Sequence, residues 1–254
     1  MTQHILLVGS SELARRLEQS PRVGKVSVIP GETSVDDLVN WAVENKPTLT
    51  VINSNAALAA GVVDAFQAAR LRVFGPTKAA ARIVTSSAFA KQFMQRHNIP
   101  TVPFAVFGTF RQALGYLLTE GDQKLTIRGN GSDFFMTDCS HDAETAAREL
   151  MVTRAVTPIV IEAQSEGKQT RVTAFGDGTH IRALTADSEV LQATIDALRV
   201  DGTPFVGIIG ATLEEERILA YHIGFDNLTR LKTDLVDVID ACLNGTLDEI
   251  RPDM

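Results

Sequence analysis

Ile5-Leu6-Leu7-Val8-Gly9, followed at once by Ser10-Ser11 and an amphipathic run to Gln19, decides the fold. Four consecutive branched apolar residues leave no polar face, so the segment reads as a strand buried on both sides and ended by a glycine. Ser10 or Ser11 is placed to cap a helix over Ser11–Gln19. The same alternation then repeats. Strands are expected at Lys25–Ile29, Leu49–Ile52 and Arg72–Phe74, with helices at Val35–Glu44 and Ala56–Ala69 between them. Short apolar strands spaced by helices require crossover connections, hence a parallel open sheet covered on both faces.

Beyond Gly75-Pro76-Thr77 two helices are expected, Lys78–Val84 and Ser86–His97, stopped by Asn98-Ile99-Pro100. The period then changes. Strands are predicted at Val102–Phe107, Lys124–Arg128, Ile159–Glu162, Thr170–Phe175, His180–Leu184, Phe205–Ala211 and Arg217–His222, and Asp177-Gly178 marks a hairpin. Helices at Phe110–Thr119, Asp142–Val152, Ser188–Arg199 and Thr233–Leu243 fall between them. The expected fold class is α/β, an N-terminal parallel open sheet over 1–101 followed by an α+β region over 102–254.

The chain has 254 residues, 44% hydrophobic and 22% charged, enough for a large core and too apolar for bulk disorder. Its formal charge of −7 lacks the clustered cations of a broad nucleic-acid surface. Aromatic residues make up 6%, too few for base-stacking platforms. No apolar run reaches membrane-spanning length. Cys139 and Cys242 form no CxxC and stand far apart, which fits two reduced thiols in a cytoplasmic protein.

Ligands of open α/β sheets bind at the carboxyl ends of the strands. Gly9, Ser10 and Ser11 sit there, either as a plain turn or as amides that hold a phosphate. Asn53-Ser54-Asn55 either presents amides to a ligand or caps the next helix. Arg128-Gly129-Asn130-Gly131 is a hairpin turn or a phosphate cover, and Glu162 closes the strand Ile159-Val160-Ile161. The five histidines show no metal spacing, and His222 at a strand end is the one that stands at a candidate site edge.

Several segments are similar to the glycinamide ribonucleotide synthetase (phosphoribosylamine–glycine ligase) family of the ATP-grasp superfamily. They are Gly61-Val62-Val63-Asp64-Ala65-Phe66, Phe74-Gly75-Pro76-Thr77, Ala88-Phe89-Ala90-Lys91 and Arg96-His97-Asn98-Ile99-Pro100-Thr101, then Ile159-Val160-Ile161-Glu162 and Leu231-Lys232-Thr233-Asp234-Leu235-Val236. The resemblance implies a pre-ATP-grasp domain over 1–101 and a reduced ATP-grasp domain over 102–254, with the family's C-terminal domain absent. It implies purine synthesis, with ATP held by Lys91, Arg128 and Glu162.

The chain departs from the family pattern where that chemistry concentrates. Ser87 stands for an ATP-contacting lysine, and Arg128 for a lysine that reaches the phosphates. The phosphate loop is shortened to Gly9-Ser10-Ser11-Glu12, and Ala220-Tyr221-His222 replaces Glu-Phe-Asn at the magnesium strand. Two expectations follow. In the first the chain has lost ligase activity, binds ATP weakly and dispenses with Mg2+. It then serves in binding, regulation or assembly with a small phosphorylated ligand, another copy of itself or an active homologue. In the second it is an active ligase with rearranged residues. Lys91 and Arg128 then hold phosphates, Glu162 the adenine side, and His222 with Asp226 a metal, on the way to an acyl phosphate attacked by an amine. Neither expects nucleic acid or membrane as a partner.

Overall fold

In the computed structural model, residues 2–130, 133–185, 189–225, 228 and 231–250 are described. The opening segment forms β1 (Gln3–Gly9), then come α1 (Glu12–Glu18), β2 (Val23–Ile29), α2 (Val35–Asn45), β3 (Leu49–Asn53), α3 (Asn55–Ala60), α4 (Val62–Ala68) and β4 (Val73–Phe74). The four strands form one sheet in the order β2-β1-β3-β4, all parallel. Successive residues of β1 face opposite ways. Ile5 and Leu7 join a core with Leu13 and Leu17 of α1, and Leu6 and Val8 join another with Leu38 of α2 and Phe66 of α4. This two-sided burial is what the unbroken apolar run of β1 required.

The expected single helix Ala56–Ala69 is two helices. Gly61 has φ +91, a left-handed conformation open to glycine, and it serves as the C-cap of α3 and the N-cap of α4. Ser54 accepts a hydrogen bond from Ala57 N, so in Asn53-Ser54-Asn55 the middle residue is the helix cap.

The chain continues through α5 (Lys78–Thr85), α6 (Ser87–Arg96), β5 (Phe104–Phe107), α7 (Phe110–Glu120), β6 (Leu125–Arg128), β7 (Phe134–Thr137), α8 (Ser140–Arg148) and β8 (Ile159–Ala163). Strands order as β5-β8-β6-β7, with antiparallel pairs throughout. Ala113 and Leu117 of α7 and Ala143 and Ala147 of α8 share one apolar cluster with Ile127, Ile159 and Ile161. The opposite sheet face carries Thr126, Arg128 and Glu162. β7 was not foreseen, because four residues behind a turn give too short an alternation to register as a strand. It makes Arg128-Gly129-Asn130 the beginning of a β-hairpin turn; Gly131 lies outside the described residues. Past Arg148 the expected helix continues as one π-helical turn, Glu149–Thr153.

The last elements are β9 (Gln169–Asp177), β10 (Ile181–Ala183), α9 (Glu189–Val200), β11 (Val206–Glu214), β12 (Arg217–His222) and α10 (Leu235–Asn244), with a sheet in the order β10-β9-β11-β12. Asp177-Gly178 turns the antiparallel pair β9 and β10, as its sequence indicates, with Gly178 at φ +92. Ser188, the expected first residue of the helix before Arg199, is outside the described residues.

By contact the chain forms two compact units that interleave along the sequence. One takes residues 1–82, 171–211 and 222–254, and the other takes 83–170 and 212–221.

Candidate functional site

The second unit brings Lys91, Arg128 and Glu162 together. Glu162 lies opposite Thr126 in the β6–β8 register, and Arg128 is two residues further along β6 on the same face. Arg128 Nε therefore reaches Glu162 Oε1 at 2.5 Å. Lys91 of α6 points its Nζ at Glu162 Oε2, 2.6 Å away, and donates to Thr101 Oγ1 at 2.7 Å. Thr101 in turn donates to the carbonyl of Ile218. Both side chains of the Lys91–Glu162 pair are 2% exposed. Burial pulls the Lys91 ammonium below the ordinary lysine value; the Glu162 carboxylate opposes this and the Arg128 charge adds to it. Arg128 also lies over the Phe134 ring, 5.2 Å from its centre.

One carboxylate thus engages two cations. A cavity of about 20 Å3 lies beside them, lined among others by Ser87, Lys91, Arg128, Ala220 and Tyr221. That is room for a water molecule and not for an adenine ring. The contact of Glu162 with Lys91, 71 positions away, was not legible in the sequence, since no local spacing encodes it. Thr101 was also missed as a member of the cluster, although it lies in a segment that carries the family resemblance.

Gly9, Ser10 and Ser11 lie in the first unit. Gly9 adopts φ +131, and a Cβ there would sit 2.1 Å from the Asn53 carbonyl oxygen, so this glycine lets the ends of β1 and β3 approach. Ser11 precedes α1 without a side-chain cap bond. Ser10 Oγ accepts from Glu12 N at 3.4 Å. Next to them opens a cleft of about 470 Å3 with Ser10, Glu12, Arg16, Gln19 and Asn53 on its walls and Leu13, Ile223, Phe225 and Leu228 as its apolar part. Arg16 and Gln19 were not singled out beforehand. Their helix was foreseen, but which of its faces borders a cleft depends on Ile223, Phe225 and Leu228.

His222 packs over the backbone of β11, so close to Gly210 that a Cβ there would lie 2.4 Å from Nε2. Its expected metal partner Asp226 is outside the described residues. Among the described residues one group, Asp177, His180 and Asp248, brings three metal-capable ligand atoms within 4.8 Å of one another. The Asp177 carboxylate is already engaged there, since Oδ1 accepts from Thr179 N and His180 N in the hairpin turn. No helix among the described residues is long and apolar enough to cross a membrane.

Known proteins give these observations a frame. Residues 3–83 match the family described as phosphoribosylglycinamide synthetase, N domain, and residues 85–189 match its ATP-grasp (A) domain. The phosphoribosylamine–glycine ligase of Halalkalibacterium halodurans is 30% identical over 322 aligned positions, which take in 98% of this chain and 75% of the relative. The enzyme of the same name from Xylella fastidiosa is 27% identical, with 97% and 74% covered. In both alignments the aligned span exceeds the 254 residues of this chain, so the relatives carry segments that it lacks. The crystal structure of phosphoribosylamine–glycine ligase from Thermotoga maritima superposes with a TM-score of 0.74 at 17% identity, covering 95% of this chain and 75% of that one. Fold, profile and identity agree: the chain belongs to the phosphoribosylglycinamide synthetase (phosphoribosylamine–glycine ligase) family, and its fold is that of ATP-grasp proteins.

Proposed function

We propose that this protein is a member of the phosphoribosylamine–glycine ligase family that no longer ligates and works in binding, regulation or assembly. The observation that carries the reading is the single Glu162 carboxylate holding both Lys91 and Arg128. Those are the two cations that the family resemblance assigns to the nucleotide. Phosphoryl transfer depends on cations positioned at the phosphates. Here an internal anion already takes both, Ser87 supplies no third, and the adjoining cavity is of water size.

The donor set for a metal fits no better. Magnesium takes oxygen ligands in an octahedron. Ala220, Tyr221 and His222 offer a methyl, a buried tyrosine and an imidazole where the family resemblance implies Glu-Phe-Asn. These residues do not make a magnesium site, and no catalytic step is assigned through one. Losing three charge-assisted contacts removes on the order of 6 kcal/mol, about four decades of affinity. ATP binding is accordingly weak and indifferent to magnesium.

Calorimetric titration with ATP, with and without Mg2+, and phosphate release in the presence of phosphoribosylamine and glycine test the proposal. Weak, magnesium-independent binding and no phosphate release are expected. Sustained phosphate release dependent on both substrates overturns it.

A further inference from the structure

We infer that the small cavity beside Lys91 and Arg128 is a binding site for a single monovalent anion of the halide class, such as chloride. The site lies within the second unit and does not depend on whether the chain ligates.

Its wall is cationic. It is drawn from 83–94 in α5 and α6, from Arg128 at the end of β6 and from 219–221 in β12, all described and all in the second unit. The polar side chains on it are Ser87, Lys91, Arg128 and Tyr221, two cations and two hydroxyls with no carboxylate. Glu162 holds both cations but is not part of this wall.

The wall also has donors to spare. Lys91 donates to Thr101 Oγ1 at 2.7 Å and faces Glu162 Oε2 at 2.6 Å, which leaves one N–H group without an oxygen acceptor among the described residues. Arg128 bonds through Nε, and neither of its Nη groups finds such an acceptor. Ser86 caps α6, so capping does not claim the Ser87 hydroxyl. Among the described residues Lys91, Arg128 and Glu162 form no ion pair except with one another, and together they carry one positive charge. Burial and the Arg128 charge pull Lys91 towards its neutral form, against Glu162. An anion at the wall takes the spare donors and favours the charged ammonium.

Size and apolar lining narrow the class. About 20 Å3 holds one particle the size of a water molecule or a halide ion. Phosphate, sulfate and carboxylates have several heavy atoms and do not fit. Water fits, but it leaves the charge uncancelled and brings hydrogens of its own to a wall already rich in donors. Ile83, Met94 and Leu219 make much of the remainder apolar. Such a lining favours an anion that gives up its hydration readily, bromide and chloride before fluoride.

Thermal melting of the full chain at fixed ionic strength, with sodium gluconate replaced stepwise by chloride, bromide or fluoride, tests the site. Fixed ionic strength removes the general effect of screening. Chloride and bromide are expected to raise Tm along a saturating curve, by about 3–5 °C at about ten times the dissociation constant, and fluoride to raise it less. Arg128→Gln is expected to abolish the saturating rise and Arg128→Lys to keep part of it, each variant being checked for folding by circular dichroism. Crystals of the parent grown in bromide should show an anomalous peak within hydrogen-bond reach of Lys91 Nζ and Arg128. Equal Tm in chloride and gluconate, a rise unchanged in Arg128→Gln, or crystals whose cavity holds water and no bromide overturns the inference. If Arg128→Gln does not fold, the parent's bromide crystals decide. Ligase turnover would overturn the functional proposal and leave this one standing, so the two fail separately.

Discussion

Gly9 and Asn53 approach so closely that one added carbon on Gly9 would lie 2.1 Å from the Asn53 carbonyl oxygen. Two strand ends are thereby brought together, and the cleft opens at their meeting point. Gly9→Ala adds that carbon at φ +131, where a side chain is also strained. The cost combines overpacking and backbone strain and comes to about 2–4 kcal/mol. A fall in the urea midpoint of that order is expected, and a midpoint equal to the parent's refutes the close-approach role.

Removing the charge of Glu162 leaves Lys91 and Arg128 facing each other without an anion. Glu162→Gln is expected to destabilise the fold by about 3–5 kcal/mol, the penalty for an unpaired buried charge. Replacing Lys91 and Glu162 together, as Lys91→Met with Glu162→Leu, recovers most of the loss, since the buried charges leave with their desolvation cost. Equilibrium denaturation of Glu162→Gln, of Lys91→Met and Glu162→Leu singly, and of the double variant measures the loss and the coupling. Additive losses would show that the pair does not act as one unit.

Thr101 is the relay between Lys91 and β12. Its hydroxyl accepts from Lys91 Nζ and donates to the Ile218 carbonyl. Thr101→Val keeps the shape and deletes both bonds, for a loss of about 1–3 kcal/mol. The loss should shrink in a Lys91→Met background, which a denaturation cycle reads directly.

Acid acts through Asp177. Burial alone would raise its carboxyl, but the His180 and Thr179 N–H groups, with the His180 ring, hold it below the ordinary value of 3.8. A carboxylate lowered in the folded state binds fewer protons than it does unfolded, so stability rises with pH across that interval. The contribution is complete above the ordinary value and is lost as pH falls through the lower, folded one. Asp177→Asn should flatten the dependence of the urea midpoint on pH below about 4 and leave its slope near neutrality unchanged. An unaltered acid limb would remove Asp177 as its source.

Much of the fold was legible because it is written locally. The unbroken apolar run Ile5–Val8 announces two-sided burial, and Asp177-Gly178 announces its hairpin. Gly61 was visible, yet sequence alone did not show that its left-handed φ would divide a helix. Phe134–Thr137 was too short to declare itself, and its pairing with β6 supplies what its own pattern lacks. At the candidate sites the residue types were legible and their partners were not. Lys91 drew notice through the family resemblance and Arg128 and Glu162 through their strand ends as well, but mutual neutralisation depends on where α6, β6 and β8 lie. Glu12 and Arg16 lie plainly on one helical face, and only residues from beyond β12 turn that face into a cleft wall.

The interleaving of the units bears on how the chain is made. Arg22, beside β2, pairs with Asp237 and Asp240 of α10, with 215 positions between Arg22 and Asp237. Ile5 and Leu7 share their apolar cluster with Val236 and Ile239. On the flank that it shares with α1, β1 therefore stays only partly covered until α10 has been synthesised. Contacts this distant in sequence form late and slowly. A nascent chain halted before α10 would hold its founding sheet half-clothed, a substrate for chaperones rather than a finished domain.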